Sequence, residues 1–356
     1  MIRMARSGLC GAVLLAMATT MMVMVMVTAA GTASADTGPK SIKLASLAPE
    51  GSSWMKLFHQ WGSAVEKRAP GVRFKFYAGG VAGDERDAVR KMKLGQINGA
   101  AITAIGLGLI QPQVRVLEIP FFIKGYTELD YVREKLDGEF RKMFEEKGYV
   151  LLFWGDVGQV QLFTNAAITD DKDGTALDKL GKMKMWAWSD DPMVKRLFKQ
   201  VKLNSVPLGV PDVLPALQTG IIDACYGSAL STLALQWNTK VKYVTSMVLG
   251  QSVGATVLTK AMWDSLSPEE QKVMREESSK LGPQLLKVIR DDNVRSLAKM
   301  KTLGMQEIAT PEAVVQRFSA EAKSMAEALD GQLFTKEFRL RVGELIKTCP
   351  PDRCKK

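Results

Sequence analysis

Apolar and polar positions along the first part of the chain predict strands and helices that follow one another. The predicted order is a strand over 42–47, a helix over 54–68, a strand over 72–77, a helix over 83–94 and a strand over 99–105. The strands are short apolar or alternating runs, whereas the helices carry apolar residues at helical spacing and end at Gly or Pro. This alternation indicates an α/β fold with mostly parallel sheets.

A second round of the same pattern starts near Tyr149. Apolar runs over 149–154 and 183–188 predict strands, and Asp190-Asp191-Pro192 begins a helix through Val201. Two junctions, Gly95–Ala100 and Gly220–Cys225, share one device: Gly ends a helix, an aliphatic residue packs inward, and Asn or Asp turns into a strand. The repetition suggests two α/β lobes of similar design.

The last third of the sequence is mostly helical. Ser267-Pro268-Glu269-Glu270 forms a capping box with proline at the first helical position, and the helical pattern continues towards Met300. Gly282-Pro283 predicts a kink or break in that helix. Thr310-Pro311-Glu312 begins another helix that runs to about Leu329. These helices could cross between the lobes and brace them.

The first 35 residues read as a secretory signal. Arg3 and Arg6 precede an uncharged stretch from Ser7 to Ala35, which ends in Ala33-Ser34-Ala35. A positive start, an apolar centre and small residues at the exit are typical of a cleaved signal peptide, so we expect a periplasmic protein that begins near Asp36. An uncleaved membrane anchor is the alternative, because the apolar stretch is long enough to span a bilayer.

Composition excludes several functional classes. The 356 residues suggest two domains, and His59 is the only histidine, which disfavours histidine-based hydrolase triads and metal sites. The sequence contains no P-loop, dinucleotide fingerprint or Gly-x-Ser-x-Gly elbow. The net charge of +10 comes from interspersed basic and acidic residues rather than from a basic stripe, so nucleic acid is a poor partner. We therefore expect no enzyme activity, no cofactor and no metal.

The cysteines predict one disulfide. Cys349 and Cys354 flank four residues at the end of the chain, where an oxidising compartment allows them to close a small loop. Cys225 lies in an apolar segment and is expected to be free and buried.

Four segments carry a resemblance to a known family. They are Leu44–Pro49, Gly83–Arg86, Leu117–Phe122 and Leu214–Asp223. In order and spacing the chain resembles the solute-binding subunits of tripartite ATP-independent periplasmic (TRAP) transporters, the DctP-like family 7. The resemblance implies a two-lobed, type II-like periplasmic-binding-protein fold with crossing hinge strands and a long bracing helix. It also implies capture of a small ligand between the lobes and delivery to the TRAP membrane permease; we expect a monomer.

The implied lobes are discontinuous in sequence. Residues 1–35 are the signal peptide, residues 36–158 with 249–290 form lobe I, and residues 159–248 with 291–356 form lobe II.

The sequence departs from the family at the position that grips carboxylates. Many members carry an arginine in a strand that reads roughly Gly-Leu-Lys-Ile-Arg-Val-Pro, and the matching residue here is Trp186. Indole cannot replace the paired hydrogen bonds of a guanidinium, so an apolar, amphipathic or neutral ligand is expected. Three alternatives stay open: an organic acid held by another cation such as Arg86 or Lys184, a cation over the indole faces, and a sensory protein with the same fold.

Ten residues are candidates for ligand binding. Aromatic residues near the implied cleft form the first group, and polar residues at strand ends or helix starts form the second. The candidates are Trp186, Trp188, Trp154, Trp54, Gln161, Tyr226, Thr103, Asp212, Ser228 and Arg86. Core packing is the alternative for the tryptophans, helix capping for Asp212 and a first-turn ion pair for Arg86.

Overall fold

A computed structural model describes residues 38–169 and 175–354, so the predicted signal peptide lies outside the described residues. The strands are β1 (Lys40–Ser46), β2 (Val72–Tyr77), β3 (Gly99–Thr103), β4 (Tyr149–Thr164), β5 (Lys184–Trp188), β6 (Asn204–Leu208), β7 (Ala224–Gly227), β8 (Tyr243–Thr245), β9 (Gly250–Thr259) and β10 (Gln306–Ile308).

In the first two thirds of the chain, most strands are followed in sequence by a helix. They are α1 (Ser53–Arg68), α2 (Glu85–Lys93), α3 (Ala104–Ile110), α4 (Tyr126–Glu146), α5 (Ala176–Lys182), α6 (Pro192–Gln200), α7 (Val210–Thr219), α8 (Ala229–Ala234), α9 (Lys260–Ser265), α10 (Pro268–Thr302), α11 (Glu312–Ala328), α12 (Lys336–Lys347) and α13 (Pro351–Cys354), with 3₁₀ helices at Pro112–Glu118 and Trp237–Thr239.

The strands form one mixed sheet in the order β2-β1-β3-β9-β4-β7-β5-β6, and β8 joins β4 and β10. Pairing is parallel between β1 and its neighbours β2 and β3, and between β5 and its neighbours β6 and β7. It is antiparallel wherever β4 or β9 pairs with β3, β7, β8 or each other. The expectation of mostly parallel sheets is therefore wrong at the centre, where two long strands return through the sheet.

These two long strands join the lobes. β4 pairs with β9 over its first part and with β7 from Gln161 onwards, so one strand belongs to both halves of the sheet. Its pairing shifts between Asp156 and Gly158, where Gly158 has a φ of 135°. A Cβ at Gly158 would also lie 2.4 Å from Asn293 Oδ1, so only glycine fits this crossing. The proposed boundary at 158/159 falls at this irregularity, and the lobe limits themselves stay a prediction.

The long helix α10 braces the sheet. It begins with the predicted capping box, in which Ser267 Oγ accepts from the Glu270 N–H and the Glu270 carboxylate accepts from the Ser267 N–H. The helix continues through Pro283 to Thr302, so of the predicted kink or break at Gly282-Pro283 the break does not occur. Leu281 and Leu285 are buried on both sides of the proline, and this packing holds the helix across the missing backbone hydrogen bond. Within the described ranges, no helix is both long and apolar enough to span a membrane.

The cysteines lie as the sequence suggests. Cys349 and Cys354 are joined by a disulfide, with their Cα atoms 6.0 Å apart. Cys225 is free and buried in β7, and burial raises the pKa of its thiol. This thiol therefore stays protonated and acts as a small apolar group in the core.

Candidate functional site

A cavity of about 210 Å³ lies where the ends of β1, β3 and β5 meet the crossing strands β4 and β9. Both halves of the sheet contribute to its wall: Ser46 and Thr103 come from one half, and Trp186 and Trp188 from the other. In open α/β sheets, ligands bind beyond the carboxyl ends of parallel strands, and this cavity occupies such a position.

Aromatic side chains form one wall of the cavity. The Trp186 ring stacks on Tyr226 with ring centroids 4.7 Å apart, and Trp237 meets Trp186 edge-on at 5.2 Å. The Trp188 centroid lies 5.9 Å from that of Trp186. Parallel pairing of β5 with β7 brings these rings together although they are distant in sequence. Such a wall suits a flat apolar ligand surface.

Three of the tryptophans on the cavity wall donate their indole N–H groups to other groups of the protein. Trp186 Nε1 donates to the Leu208 carbonyl at 3.0 Å, and Trp54 Nε1 donates to the Asp156 carbonyl at 3.2 Å. Trp188 Nε1 donates to Asp84 Oδ2 at 2.9 Å. The N–H groups of Trp54, Trp186 and Trp188 are therefore engaged within the protein and are not free to bond a ligand.

Asp84 links the two halves of the sheet beside the cavity. Its Oδ2 accepts from Trp188 Nε1 and, at 3.3 Å, from the Val210 N–H. Burial raises the pKa of Asp84, and its hydrogen bonds partly oppose this rise. Arg86 forms an ion pair with Asp190 across the same junction. These contacts join the start of α2 to Trp188, which lines the cavity, and to Asp190.

A buried arginine lines the cavity at a position that sequence reasoning missed. Arg115 is 3% exposed; its Nη2 lies 2.9 Å from Asp191 Oδ1 and 3.7 Å from Glu118 Oε2. Its Nε is buried without a hydrogen-bond partner. Gly108 makes room for the arginine stem, because a Cβ there would lie 2.8 Å from Arg115 Cγ and Cδ. The sequence does contain a signal for this residue, since Arg115 and Glu118 are two charged residues within the otherwise apolar segment 114–119.

The neighbouring Glu118 ties this cluster to β9. Its Oε1 accepts from Ser252 Oγ at 3.1 Å and from the Val253 N–H at 2.9 Å. Burial raises the pKa of Glu118, whereas the positive charge of Arg115 acts in the opposite direction. Glu118 is therefore easier to protonate than an exposed glutamate.

Glu85 is a second buried carboxyl group on the cavity wall. It accepts hydrogen bonds from the Thr103 N–H at 2.7 Å, Thr103 Oγ1 at 2.9 Å and the Gly106 N–H at 2.7 Å. These donors lie at the start of α3, where a carboxylate is favoured by the helix dipole. Burial is the larger effect and raises the pKa of Glu85 to about 8.

The charges on the cavity wall do not favour an anion. Among the described lining residues, Arg115 is the one cation, and four residues carry carboxyl groups: Glu85, Glu118, Asp156 and Asp191. Asp156 is neutralised from outside the wall by Arg133 and Arg290, at 2.9 Å and 2.7 Å. Asp191 and Glu118 offset the charge of Arg115 itself, so a ligand carboxylate would approach acidic groups as well as the guanidinium.

Six of the ten predicted candidates line the cavity: Trp186, Trp188, Trp54, Tyr226, Thr103 and Ser228. Two of these six residues, Thr103 and Ser228, also cap helices with their hydroxyl groups. Thr103 caps α3 by accepting from the Ile105 N–H at 3.2 Å, and Ser228 caps α8 by accepting from the Ser231 N–H at 3.1 Å. Neither hydroxyl is free to turn towards a ligand without loosening a helix start.

The other four candidates lie away from the cavity wall. Trp154 Nε1 donates to Asp137 Oδ1 at 2.8 Å, and Gln161 Nε2 donates to the Thr245 carbonyl at 2.7 Å. Asp212 is exposed in the first turn of α7, and Arg86 is exposed and paired with Asp190. Lys184, the other cation considered, lies 4.0 Å from Asp223 and is not on the wall.

The described ranges contain no candidate metal-binding site. No group of three or more His, Cys, Asp or Glu side chains there is placed to hold a metal ion.

Comparison with known proteins agrees with this architecture. A solute-binding protein of Chromohalobacter salexigens is 26% identical over 60% of this chain and 62% of its own length, which is less than two thirds of that relative. The sugar acid-binding protein DctPAm of Advenella mimigardefordensis, solved with galactonate, superposes with a TM-score of 0.80 at 17% identity, covering 88% of this chain and 100% of that one. A TRAP periplasmic solute-binding protein of Pseudomonas putida F1, solved with D-glucuronate, gives 0.74 at 21% identity, with coverage of 87% and 96%.

The family match extends over most of the chain. The model of the bacterial extracellular solute-binding proteins of family 7 matches residues 44–331, which include both halves of the sheet and the cavity between them. The two-lobed α/β fold is shared with the solved proteins, and the family consists of binding proteins rather than enzymes. The resemblance in the sequence is thus confirmed at the level of the family: this chain belongs to family 7 of the bacterial extracellular solute-binding proteins.

Proposed function

We propose that this chain is the periplasmic receptor of a TRAP-type transporter and captures a small uncharged solute with a flat apolar surface. The observation that carries the proposal is the wall formed by Trp186, Tyr226 and Trp237. By the resemblance in sequence, Trp186 stands at the position of a carboxylate-binding arginine in many family members. Aromatic faces bind apolar or amphipathic groups and give no charge to an acid.

The electrostatics of the wall support an uncharged ligand. The guanidinium of Arg115 is already paired with Asp191 and lies near Glu118. A buried pair of this kind has little net charge to offer, and an added anion would lose its hydration without gaining a free cation.

Native mass spectrometry of protein purified from the periplasm would identify the co-purified solute. Trp186→Ala should then weaken binding of that solute by an amount on the order of 2–4 kcal/mol, as for a buried aromatic contact. Trp154→Ala is the matched control, because that indole is buried outside the cavity wall. Titration calorimetry showing equal losses in both variants, or none in Trp186→Ala, would contradict the proposal.

A second candidate is an organic acid held by Arg115. Two observations favour it: the Arg115 Nε is buried without a partner, and the related proteins described above were solved with the sugar acids galactonate and D-glucuronate. In this case wild type should bind galactonate or D-glucuronate tightly, Arg115→Met should abolish that binding, and Trp186→Ala should leave it intact. The same calorimetric titrations distinguish the two candidates.

The cellular role requires export and a membrane partner. We propose that residues 1–35 are removed as a signal peptide, and that the mature monomer delivers its solute to TRAP permease subunits. Intact mass measurement should place the mature N-terminus near Asp36. Reconstituted transport that depends on this chain would support a receptor, whereas solute-dependent binding to a sensor kinase without transport would favour a signalling role.

A further inference from the structure

Gln251 is a buried polar side chain on the cavity wall, and it has no hydrogen-bond partner among the residues that the structure describes. The residue is 2% exposed and lies at the start of β9, among the residues that line the cavity. Both amide atoms, Oε1 and Nε2, are buried and lack a hydrogen bond. Because both atoms are unpaired, the result does not depend on which of the two is oxygen and which is nitrogen.

A buried side-chain amide without hydrogen bonds destabilises the folded protein. The position of Gln251 on the cavity wall therefore indicates that a bound group supplies the missing hydrogen bonds. Leaving a buried donor or acceptor unsatisfied destabilises the folded protein, and the amide of Gln251 leaves both its oxygen acceptor and its nitrogen donor unsatisfied. By contrast, Gln161 is also buried but donates to the Thr245 carbonyl at 2.7 Å. Since Gln161 is bonded within the protein and Gln251 is not, we expect a bound ligand to form the hydrogen bonds of Gln251.

The missing group must supply a donor and an acceptor side by side. A carboxylate has acceptors only and would leave Gln251 Oε1 unpaired, and an amidinium has donors only and would leave Nε2 unpaired. A carboxamide or lactam offers both in one plane, so it can form two parallel hydrogen bonds with the glutamine amide. A planar amide can also lie flat against the rings of an aromatic wall.

We propose that the solute carries a neutral amide, as a carboxamide or lactam, and that Gln251 pairs with it through both amide atoms. This inference rests on the proposed function, because it names the polar end of the uncharged solute whose apolar part contacts the Trp186 wall. Arg115 Nε, the other unpaired buried donor on the wall, is available to the same solute.

Four monosubstituted benzenes of similar size test the proposal: benzamide, benzoate, benzamidine and ethylbenzene. We expect wild-type protein to bind benzamide about tenfold more tightly than each of the others, the effect of one or two paired hydrogen bonds. Gln251→Met should remove this preference and leave ethylbenzene binding within about twofold of wild type. Gln159→Met is the matched control, because Gln159 is the register partner of Gln251 on β4 and does not line the cavity.

Gln251→Glu provides a second variant of the same size. It replaces the amide donor by an acceptor, so the preference should move from benzamide to benzamidine. Circular dichroism confirms folding of each variant before titration.

The outcomes separate the two proposals. Equal binding of all four probes by wild type, or a benzamide preference that survives in Gln251→Met, overturns the amide inference and leaves the aromatic-wall function in place. Preference for benzoate overturns both and favours the acid bound at Arg115. Binding of none of the probes, ethylbenzene included, also contradicts both.

Discussion

The carboxyl groups of Asp156 and Glu85 line the same cavity and are each 2% exposed, but they have entirely different hydrogen-bond partners. Asp156 accepts from Arg133 Nη1 at 2.9 Å and Arg290 Nε at 2.7 Å, and Asp130 bridges the same two arginines. Within the described part of the chain, Glu85 forms no ion pair with an arginine; its hydrogen bonds come from Thr103 and the Gly106 N–H.

The comparison shows two ways of burying a carboxyl group on one cavity wall, with its charge balanced by arginines or held by neutral donors alone. Arg133 lies on α4 and Arg290 on α10, so the Asp156 cluster fastens two helices to the hinge strand β4 with its charges balanced. Glu85 has only neutral donors, and burial raises its pKa to about 8. Glu118 is intermediate, since one arginine serves both it and Asp191. The carboxyl groups on one cavity wall thus range from a fully paired Asp156 to an unpaired Glu85.

Arg133→Met should give the largest effect on stability. It leaves the buried Asp156 with one arginine in place of two, and breaking a buried pair costs about 3–5 kcal/mol. Urea unfolding measures the loss, with the exposed pair partner Arg90→Met as the control that should change little. Equal effects of the two substitutions would show that the Asp156 cluster does not fasten the hinge.

Glu85→Gln should change the pH dependence of stability. The folded pKa of Glu85, about 8, lies above the value near 4.5 of an exposed glutamate. The folded state therefore holds a proton that the unfolded state has lost, and stability falls as pH rises from about 5 to 8. Relative to Glu85→Gln, wild type should lose up to about 3 kcal/mol over this range. Parallel unfolding curves of the two proteins against pH would contradict the assignment.

Arg115→Met should cost less and depend on pH in the same direction. Asp191 keeps the N–H donors of Met193 and Val194, at 2.9 Å and 3.3 Å, so its charge is not left without partners. We expect a loss of about 2 kcal/mol near neutral pH. The pKa of Glu118, already raised by burial, should rise further without the arginine, so the loss should shrink at pH 5. Thermal unfolding at pH 5 and pH 8 checks the sign; a larger loss at pH 5 would refute it.

Removal of the terminal disulfide should have the smallest effect. Cys349 and Cys354 are five residues apart, and so short a loop is stabilised by roughly 1–2 kcal/mol or less. The Cys349→Ser, Cys354→Ser double variant should therefore fold and bind its solute. Peptide mapping of the wild type should find this bridge with Cys225 free; a bridge to Cys225 would contradict the pairing.

Local patterns predicted most of the elements, but they failed where a residue's surroundings come from distant segments. The strand over 149–154 extends to Thr164, and its pairing shifts between Leu151 and Phe153. A shift of this kind changes the face to which the following side chains point. Trp154 consequently contacts Phe140 on α4, with ring centroids 5.4 Å apart, rather than the cavity where the sequence placed it.

The sequence by itself determined the alternating elements, the helix caps, the family and the aromatic character of β5, because these depend on near neighbours or on motif order. The tertiary structure alone decided which charges meet at the cavity. Arg115, Asp191 and Glu118 come from a 3₁₀ helix and from the residue that caps α6, and Gln251 comes from β9. Their roles depend on burial and on the pairing of groups across the sheet, and neither burial nor pairing is encoded in the spacing of residues along one segment.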